Sequence, residues 1–207
     1  RLSLVGSEMC IRDRPLPNQL TIKNSSAAEI GIEGLIETVE GISNVDKIAQ
    51  SSEKLEALVL GMGDYAASQR MRINTIGDVS SEAGNIWQYP RYRLIVACHA
   101  NGINPIDGPY ADVKDITGLK QDSKKTSLIG MMGKWAIHPD QVTPITEAFT
   151  PGKDVISTAR KQKTAYEKGL SEGLGSVSVD GVMVDAANAK TIAELLALNE
   201  LYEKTDS

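Results

Sequence analysis

GIEGLIETVEGISNVDKIAQSSEKLEALVLGMGD, residues 31–64, is the stretch whose reading decides the fold. An apolar strand ends in Glu37, and an amphipathic helix follows with Val45, Ile48 and Ala49 on one face. A second apolar strand, Leu58-Val59-Leu60, breaks at Gly61 and Gly63 before Asp64. Strand, helix, strand is the unit of a parallel α/β layout. It sets both carboxylates at the carboxyl ends of neighbouring strands, where such folds place their ligands. Two acids converging on one pocket repel each other unless a cation lies between them. A hard divalent metal, most simply Mg2+ completed by water, is the natural occupant. The competing reading makes Glu37 and Asp64 helix caps or solvated loop acids, and one strand-helix-strand unit does not decide between the two.

Outward from this core the pattern repeats. Residues 65–71 read as a short helix, and residues 73–90, INTIGDVSSEAGNIWQYP, as a long polar loop on the metal side. Residues 92–100 have helical periodicity ended by Asn101-Gly102, and residues 103–106 make a short strand closing with Asp107-Gly108-Pro109. Residues 116–129 are again helical. Trp135-Ala136-Ile137 reads as a strand ending at His138-Pro139, with Pro139 placed as the first residue of the next helix. Strand then helix, repeated, is a run of parallel α/β units. Four strands cannot close a (β/α)8 barrel, which takes about 250 residues. Beyond Phe149 the character changes to a break at residues 150–153 and a charged helix at 154–172. A hairpin turning at Asp180-Gly181 and a last amphipathic helix at 186–202 complete the chain.

Of the 207 residues, 41% are hydrophobic and 24% charged, an ordinary globular balance with enough apolar residues for one sizeable core. The net charge of -5 and pI near 5.2 argue against a nucleic-acid partner, which would demand an excess of lysine and arginine. No membrane partner is expected. Residues 1–14, RLSLVGSEMCIRDR, join no strand or helix pattern and resemble a translated sequencing adapter, so they are read as a scar and excluded from the fold. Without Cys10 the only thiol is Cys98, a buried filler on its helix. A single cysteine offers no disulfide framework, which agrees with a cytoplasmic location.

The strings LIETVEGISNVDKIAQSS, LVLGMGDYAAS, PIDGPYADVKD and GKWAIHPDQV occur in an order that resembles the HpcH/HpaI aldolase and citrate lyase beta subunit-like family, and within it the malyl-CoA lyase branch, over residues 29–203. The resemblance implies a fold class of α/β: the second half, strands five to eight, of a TIM (β/α)8 barrel at residues 15–150, with a small C-terminal α/β lid at 151–207. It thus implies an amino-terminally truncated fragment. The implied activity is Mg2+-dependent retro-Claisen cleavage of (S)-malyl-CoA or β-methylmalyl-CoA, releasing glyoxylate and acetyl-CoA or propionyl-CoA. Mn2+ is the expected substitute metal.

The same resemblance assigns roles. Glu37 and Asp64 match the metal ligands, Gly63 and Asp64 substrate contacts, and Ile137 and His138 positions beside the CoA thioester. Asp185, in VMVDAAN, matches the acid-base group that moves a proton at the enolate carbon. From the residues alone, Asp185 reads as an ordinary N-cap of the last helix. The family's substrate arginine has no counterpart here, since Arg12 and Arg14 lie in the excluded segment, and Met132 stands where relatives carry an acid. A homo-oligomer, a trimer or a dimer of trimers, is implied. Alternatives are a citramalyl-CoA lyase, a malyl-CoA thioesterase, a citryl-thioester lyase beta subunit, and, outside enzymes, an inactive interaction module. Lys134, Trp135, Asp107 and Pro109 belong to the quoted motifs without a chemical role.

Overall fold

The computed structural model describes residues 31–73, 75–76 and 85–205. The segments 1–14 and 15–30, and residues 74 and 77–84 of the long polar stretch, lie outside them. The chain divides into two units, the first running to Ile145 and the second from Thr146.

In the first unit β1 (Ile32–Ile36), β2 (Leu55–Leu60), β3 (Asn104–Asp107) and β4 (Gly133–Lys134) form one sheet in the order β1-β2-β3-β4. Every pairing is parallel, with Ile36 opposite Leu60, Val59 opposite Ile106 and Asp107 opposite Lys134. Each strand lies beside its predecessor in the chain. That sequential order is the one a (β/α)8 barrel follows, whereas a doubly wound sheet reverses at a switch point. The fold class is α/β, a partial (β/α)8 barrel followed by a small C-terminal unit. β2 is an inner strand, with Leu55, Ala57, Leu58, Val59 and Leu60 all buried. Such a near-continuous apolar run suits a parallel strand covered on both faces.

The helices depart from the sequence pattern in instructive places. The first crossover is two short helices, α1 (Val39–Ser43) and α2 (Val45–Ala49), broken at Asn44. Ile42, Val45 and Ala49 are buried while Ile48 is half-buried. α3 (Met62–Ser68) starts before Asp64 instead of after it. The Gly61 N–H still donates to the Ile36 carbonyl at 2.8 Å while its own carbonyl accepts from Tyr65 N–H at 3.0 Å, so the chain passes from ladder to helix at Gly61 without a loop. α4 (Gln88–Ala100) begins inside the stretch expected to be a loop. Fully buried Trp87 precedes it, and Pro90 sits in the first turn, where a missing N–H costs nothing. α5 (Ile116–Leu128) is capped by Asp115, whose Oδ1 accepts from the Gly118 N–H at 2.9 Å.

β4 corrects a second expectation. The strand is Gly133–Lys134, and residues 135–137 already lie beyond it. Lys134, which has no chemical role in the sequence reading, has its ammonium sealed in the interior. A 3-10 turn (Pro139–Gln141) and α6 (Val142–Phe149) follow. The second unit holds α7 (Lys153–Ser171), the hairpin β5 (Val177–Val179) and β6 (Val182–Val184), and α8 (Ala186–Thr205). Asp180 and Gly181 both have positive φ, 52° and 81°, as a two-residue hairpin turn requires. Ala159, Tyr166, Val179, Val184 and Ile192 form its core. Among the described residues no helix is long and apolar enough to cross a membrane.

Four buried charges join the later elements of the sheet. The Arg91 guanidinium on α4 donates to both oxygens of Asp107 at the end of β3, at 2.9 and 3.0 Å, and to Asp122 Oδ2 on α5 at 3.0 Å. The Lys134 ammonium on β4 donates to the same two carboxylates at 2.6 and 2.8 Å. Two positive and two negative groups cancel, and the forked geometry meets the demand that a buried charge be both paired and hydrogen-bonded. Burial by itself would raise the Asp122 carboxyl. The charges of Lys134 and Arg91, with hydrogen bonds from both, instead hold it below the ordinary carboxylate range.

Removing one partner from such a cluster leaves an uncompensated charge, so Lys134→Met is expected to destabilise the first unit by about 3–5 kcal/mol. Urea unfolding of the two proteins measures the difference. Because the Asp122 carboxyl titrates lower when folded, its stabilisation is present above the unfolded value of about 3.9 and is lost as pH falls through the lower folded value. Unfolding free energy measured from pH 6 downward is therefore expected to fall more steeply below about pH 4 in the parent than in Asp122→Asn, which carries no titrating carboxyl there.

Candidate active site

The β1–β2 ladder ends with Ile36 opposite Leu60 and the Gly61 N–H on the Ile36 carbonyl, so Glu37 and Gly61 come next to each other just beyond it. Glu37 is only 9% exposed. A Cβ on Gly61 would lie 2.5 Å from Glu37 Cβ and 3.2 Å from its Oε2. Only glycine lets this carboxylate lie against the neighbouring strand end. Asp64 is exposed and occupies the first turn of α3, three residues on. Thr38 caps α1 by accepting the Gly41 N–H at 2.9 Å, and the Val39 N–H donates to Ser68 Oγ at the end of α3 at 3.0 Å. The helix after Glu37 is thereby tied to the helix that carries Asp64. The third strand end closes in as well, since a Cβ on Gly108 would strike the Leu60 carbonyl and the Met62 side chain.

Two carboxylates from adjacent strand ends, one buried and one open, fit a hard cation. Among the described residues no group of three or more His, Cys, Asp or Glu side chains gathers at one point. An ion held by Glu37 and Asp64 would complete its shell from water and ligand oxygens, the arrangement Mg2+ favours.

The other expected residues divide between the units. Gly63 is exposed beside Asp64, with Ile76 against it. Ile137 and His138 are exposed just after β4, so they share the carboxyl-terminal edge of the sheet with Glu37 and Asp64. His138 Nδ1 accepts the Asp140 N–H at 3.2 Å, capping the 3-10 turn. Asp185 belongs to the second unit. Its Oδ1 accepts the N–H groups of Ala187 and Asn188 at 2.9 and 3.0 Å, and Asn188 Oδ1 accepts the Asp185 N–H at 3.2 Å, a reciprocal cap on α8. The helix-capping reading of Asp185 is thus realised, using one of its two carboxylate oxygens.

Arg91, Asp122 and Gln141 went unnoticed in the sequence, and Asp107 and Lys134 had no role there. A signal existed for Arg91, which has Trp87, Leu94, Ile95 and Cys98 on its own face of α4, all buried. A charge in the middle of an apolar helical face asks for a buried partner. Cys98 is no candidate nucleophile, since burial pushes its thiol up to about 12.

Comparison with known proteins bears on the family and the fold. The chain is 36% identical over 171 residues to the L-malyl-CoA/beta-methylmalyl-CoA lyase of Rhodobacter capsulatus, covering 78% of this chain and 54% of that protein. It therefore spans about half the length of the curated relatives it matches. Its fold is shared with a citrate lyase of Burkholderia xenovorans LB400 (TM-score 0.73, 22% identity, covering 90% of this chain and 57% of that one). It is shared also with CitE of Mycobacterium tuberculosis in complex with magnesium, acetoacetate and coenzyme A (TM-score 0.69, 20% identity, covering 86% and 67%). A model of the HpcH/HpaI aldolase/citrate lyase family matches residues 8–139, beginning inside the excluded amino-terminal segment. With well over half of its residues matched, the chain belongs to the HpcH/HpaI aldolase/citrate lyase family.

Proposed function

We propose that this chain belongs to a Mg2+-dependent CoA-ester lyase that cleaves (S)-malyl-CoA, or its β-methyl homologue, to glyoxylate and a shorter acyl-CoA. The observation that carries the reading is the pair of carboxylates that follow adjacent parallel strands, Glu37 directly after β1 and Asp64 in the first turn of the helix after β2. Likeness to a malyl-CoA lyase supports the substrate class, and the magnesium in the related CitE structure supports the metal. The sheet supports the idea of a larger barrel, because among the described residues β1 and β4 each have a neighbour on one side only.

The reaction breaks the bond between the carbinol carbon and the carbon next to the thioester. The hydroxyl loses its proton to solvent water, its oxygen becomes the aldehyde oxygen of glyoxylate, and the bonding pair of the broken carbon-carbon bond moves to the thioester enolate. Glu37 and Asp64 would hold a divalent ion, which when bound would supply Lewis-acid stabilisation of negative charge on the oxygens of the two-carbon fragment. Glu37 is buried against Gly61, and Asp64 is exposed. Ile137 and His138 line the same edge and hold the thioester end. The enolate carbon must then take up a proton, and we assign that transfer to Asp185, whose cap engages one of its oxygens.

Glu37→Gln and Asp64→Asn in the complete enzyme are each expected to lower Mg2+-dependent glyoxylate release at least about a hundredfold without lowering the melting temperature. Mn2+ binding followed by electron paramagnetic resonance should weaken in parallel. Wild-type turnover in either variant would remove the metal assignment.

Asp185 permits a cleaner separation. Asparagine keeps a capping oxygen, so Asp185→Asn should leave the thermal stability within experimental error while turnover drops about 10²- to 10⁴-fold. Asp185→Ala should lose turnover and, in addition, about 1 kcal/mol of stability. If the asparagine variant turns over normally, Asp185 is a cap and nothing more.

A further inference from the structure

Gln141 is fully buried and follows the segment assigned above to the thioester. Its side-chain amide is used entirely on main chain. Oε1 accepts the Ile137 N–H at 2.9 Å, in the loop after β4, and Nε2 donates to the Tyr110 carbonyl at 2.9 Å, in the loop after β3. Its own N–H donates to the His138 carbonyl at 3.0 Å. One side chain therefore bridges two loops that leave neighbouring strands on the site edge. Ile137 is 52% exposed, so the segment faces solvent while its backbone is held from inside.

The bridge continues on both sides. The Trp135 N–H donates to the Asp107 carbonyl at 3.0 Å, fixing the start of the β4 loop to β3. The Tyr110 hydroxyl donates to Asp115 Oδ2 at 2.7 Å, and Asp115 caps α5. A loop tied at one end only can swing. The segment here is tied at Trp135 and again at Ile137. Exposed loops otherwise belong to the low-stability parts of a fold, so a buried amide spent on loop backbone has a positioning use.

We propose that Gln141 is a positioning residue: by clamping the Ile137 N–H to the Tyr110 carbonyl it fixes the Ile137–His138 segment against the β3 loop and so sets the affinity for the CoA thioester. The thioester part of this proposal rests on the lyase reading above. Gln141 touches no substrate and donates no proton to it.

Two substitutions separate the arms of the clamp. Gln141→Glu keeps an acceptor for Ile137 but turns a second carboxylate oxygen toward the Tyr110 carbonyl. Gln141→Leu removes both bonds. Leu119→Ala, buried on α5 and outside the clamp, serves as a control for general destabilisation. Amide hydrogen exchange in the full-length protein should show Ile137 protection reduced at least tenfold in Gln141→Leu, retained in Gln141→Glu, and unchanged relative to its neighbours in Leu119→Ala. In steady-state assays with malyl-CoA, KM should rise about tenfold in Gln141→Leu with kcat changed less than threefold, and acetyl-CoA affinity by calorimetry should fall in step. Unaltered Ile137 exchange in Gln141→Leu overturns the clamp, whatever the activity. Faster exchange with unaltered KM and acetyl-CoA affinity overturns its bearing on the thioester. A parent enzyme that neither binds acetyl-CoA nor cleaves malyl-CoA overturns the lyase reading, and the clamp then stands or falls on the exchange pattern alone.

Discussion

The cluster of Arg91, Asp107, Asp122 and Lys134 is the constraint on which the rest of the first unit depends. Charges in an apolar interior carry a large desolvation penalty, and the penalty is offset here only because each carboxylate meets both cations in hydrogen-bonding geometry. Such a cluster tolerates one arrangement of the elements that supply it. α4, β3, α5 and β4 must keep their relative positions, or a charge is stranded. Hydrophobic burial, which is non-directional, could not impose that register on a strand as short as β4.

From that fixed edge the consequences run toward the site. Asp107 is followed by Gly108, which approaches Leu60 and Met62 so closely that no side chain fits. Met62 opens α3, the helix bearing Asp64, and Leu60 sits opposite Ile36, the residue before Glu37. Lys134 is followed by Trp135 and the Gln141 clamp on Ile137. The strand ends are thus joined laterally by close backbone approaches and hydrogen bonds, and the functional loops start from anchored points. A site that has to hold a cation and a flexible thioester at once benefits from such an arrangement, because misplacement by even an ångström is costly in catalysis.

Asp185 shows how one carboxylate can serve two demands. Its cap satisfies N–H groups at the start of α8 that would otherwise lack partners, and a residue held by two such bonds has a defined orientation. Capping is therefore no argument against proton transfer by the other oxygen. In the same unit the Asp180-Gly181 turn and the apolar faces of α7 and α8 account for the hairpin and its core without reference to any ligand.

Much of this was legible in the residues. The apolar run at Leu58-Val59-Leu60, the alternation of strands with helices, the Asp180-Gly181 turn and Pro139 opening a helical turn are local signals, set by side-chain periodicity and backbone preference. Those signals sufficed for an α/β class and for putting Glu37 just past its strand, whereas Asp64 lies in the first turn of α3. What they could not decide were features whose cause lies far off in the chain. β4 is displaced to Gly133–Lys134 because Lys134 finds Asp107, 27 residues earlier, and α4 starts at Gln88 because Trp87 is buried by tertiary packing. The partners that Gln141 and Arg91 find inside the fold, Tyr110 and Asp122, lie 31 positions away in each case. Periodicity reports which face of an element is apolar. Only the assembled structure determines which polar groups are forced inside together, because pairing of buried charges and amides depends on three-dimensional proximity, which the order of residues along the chain does not encode locally.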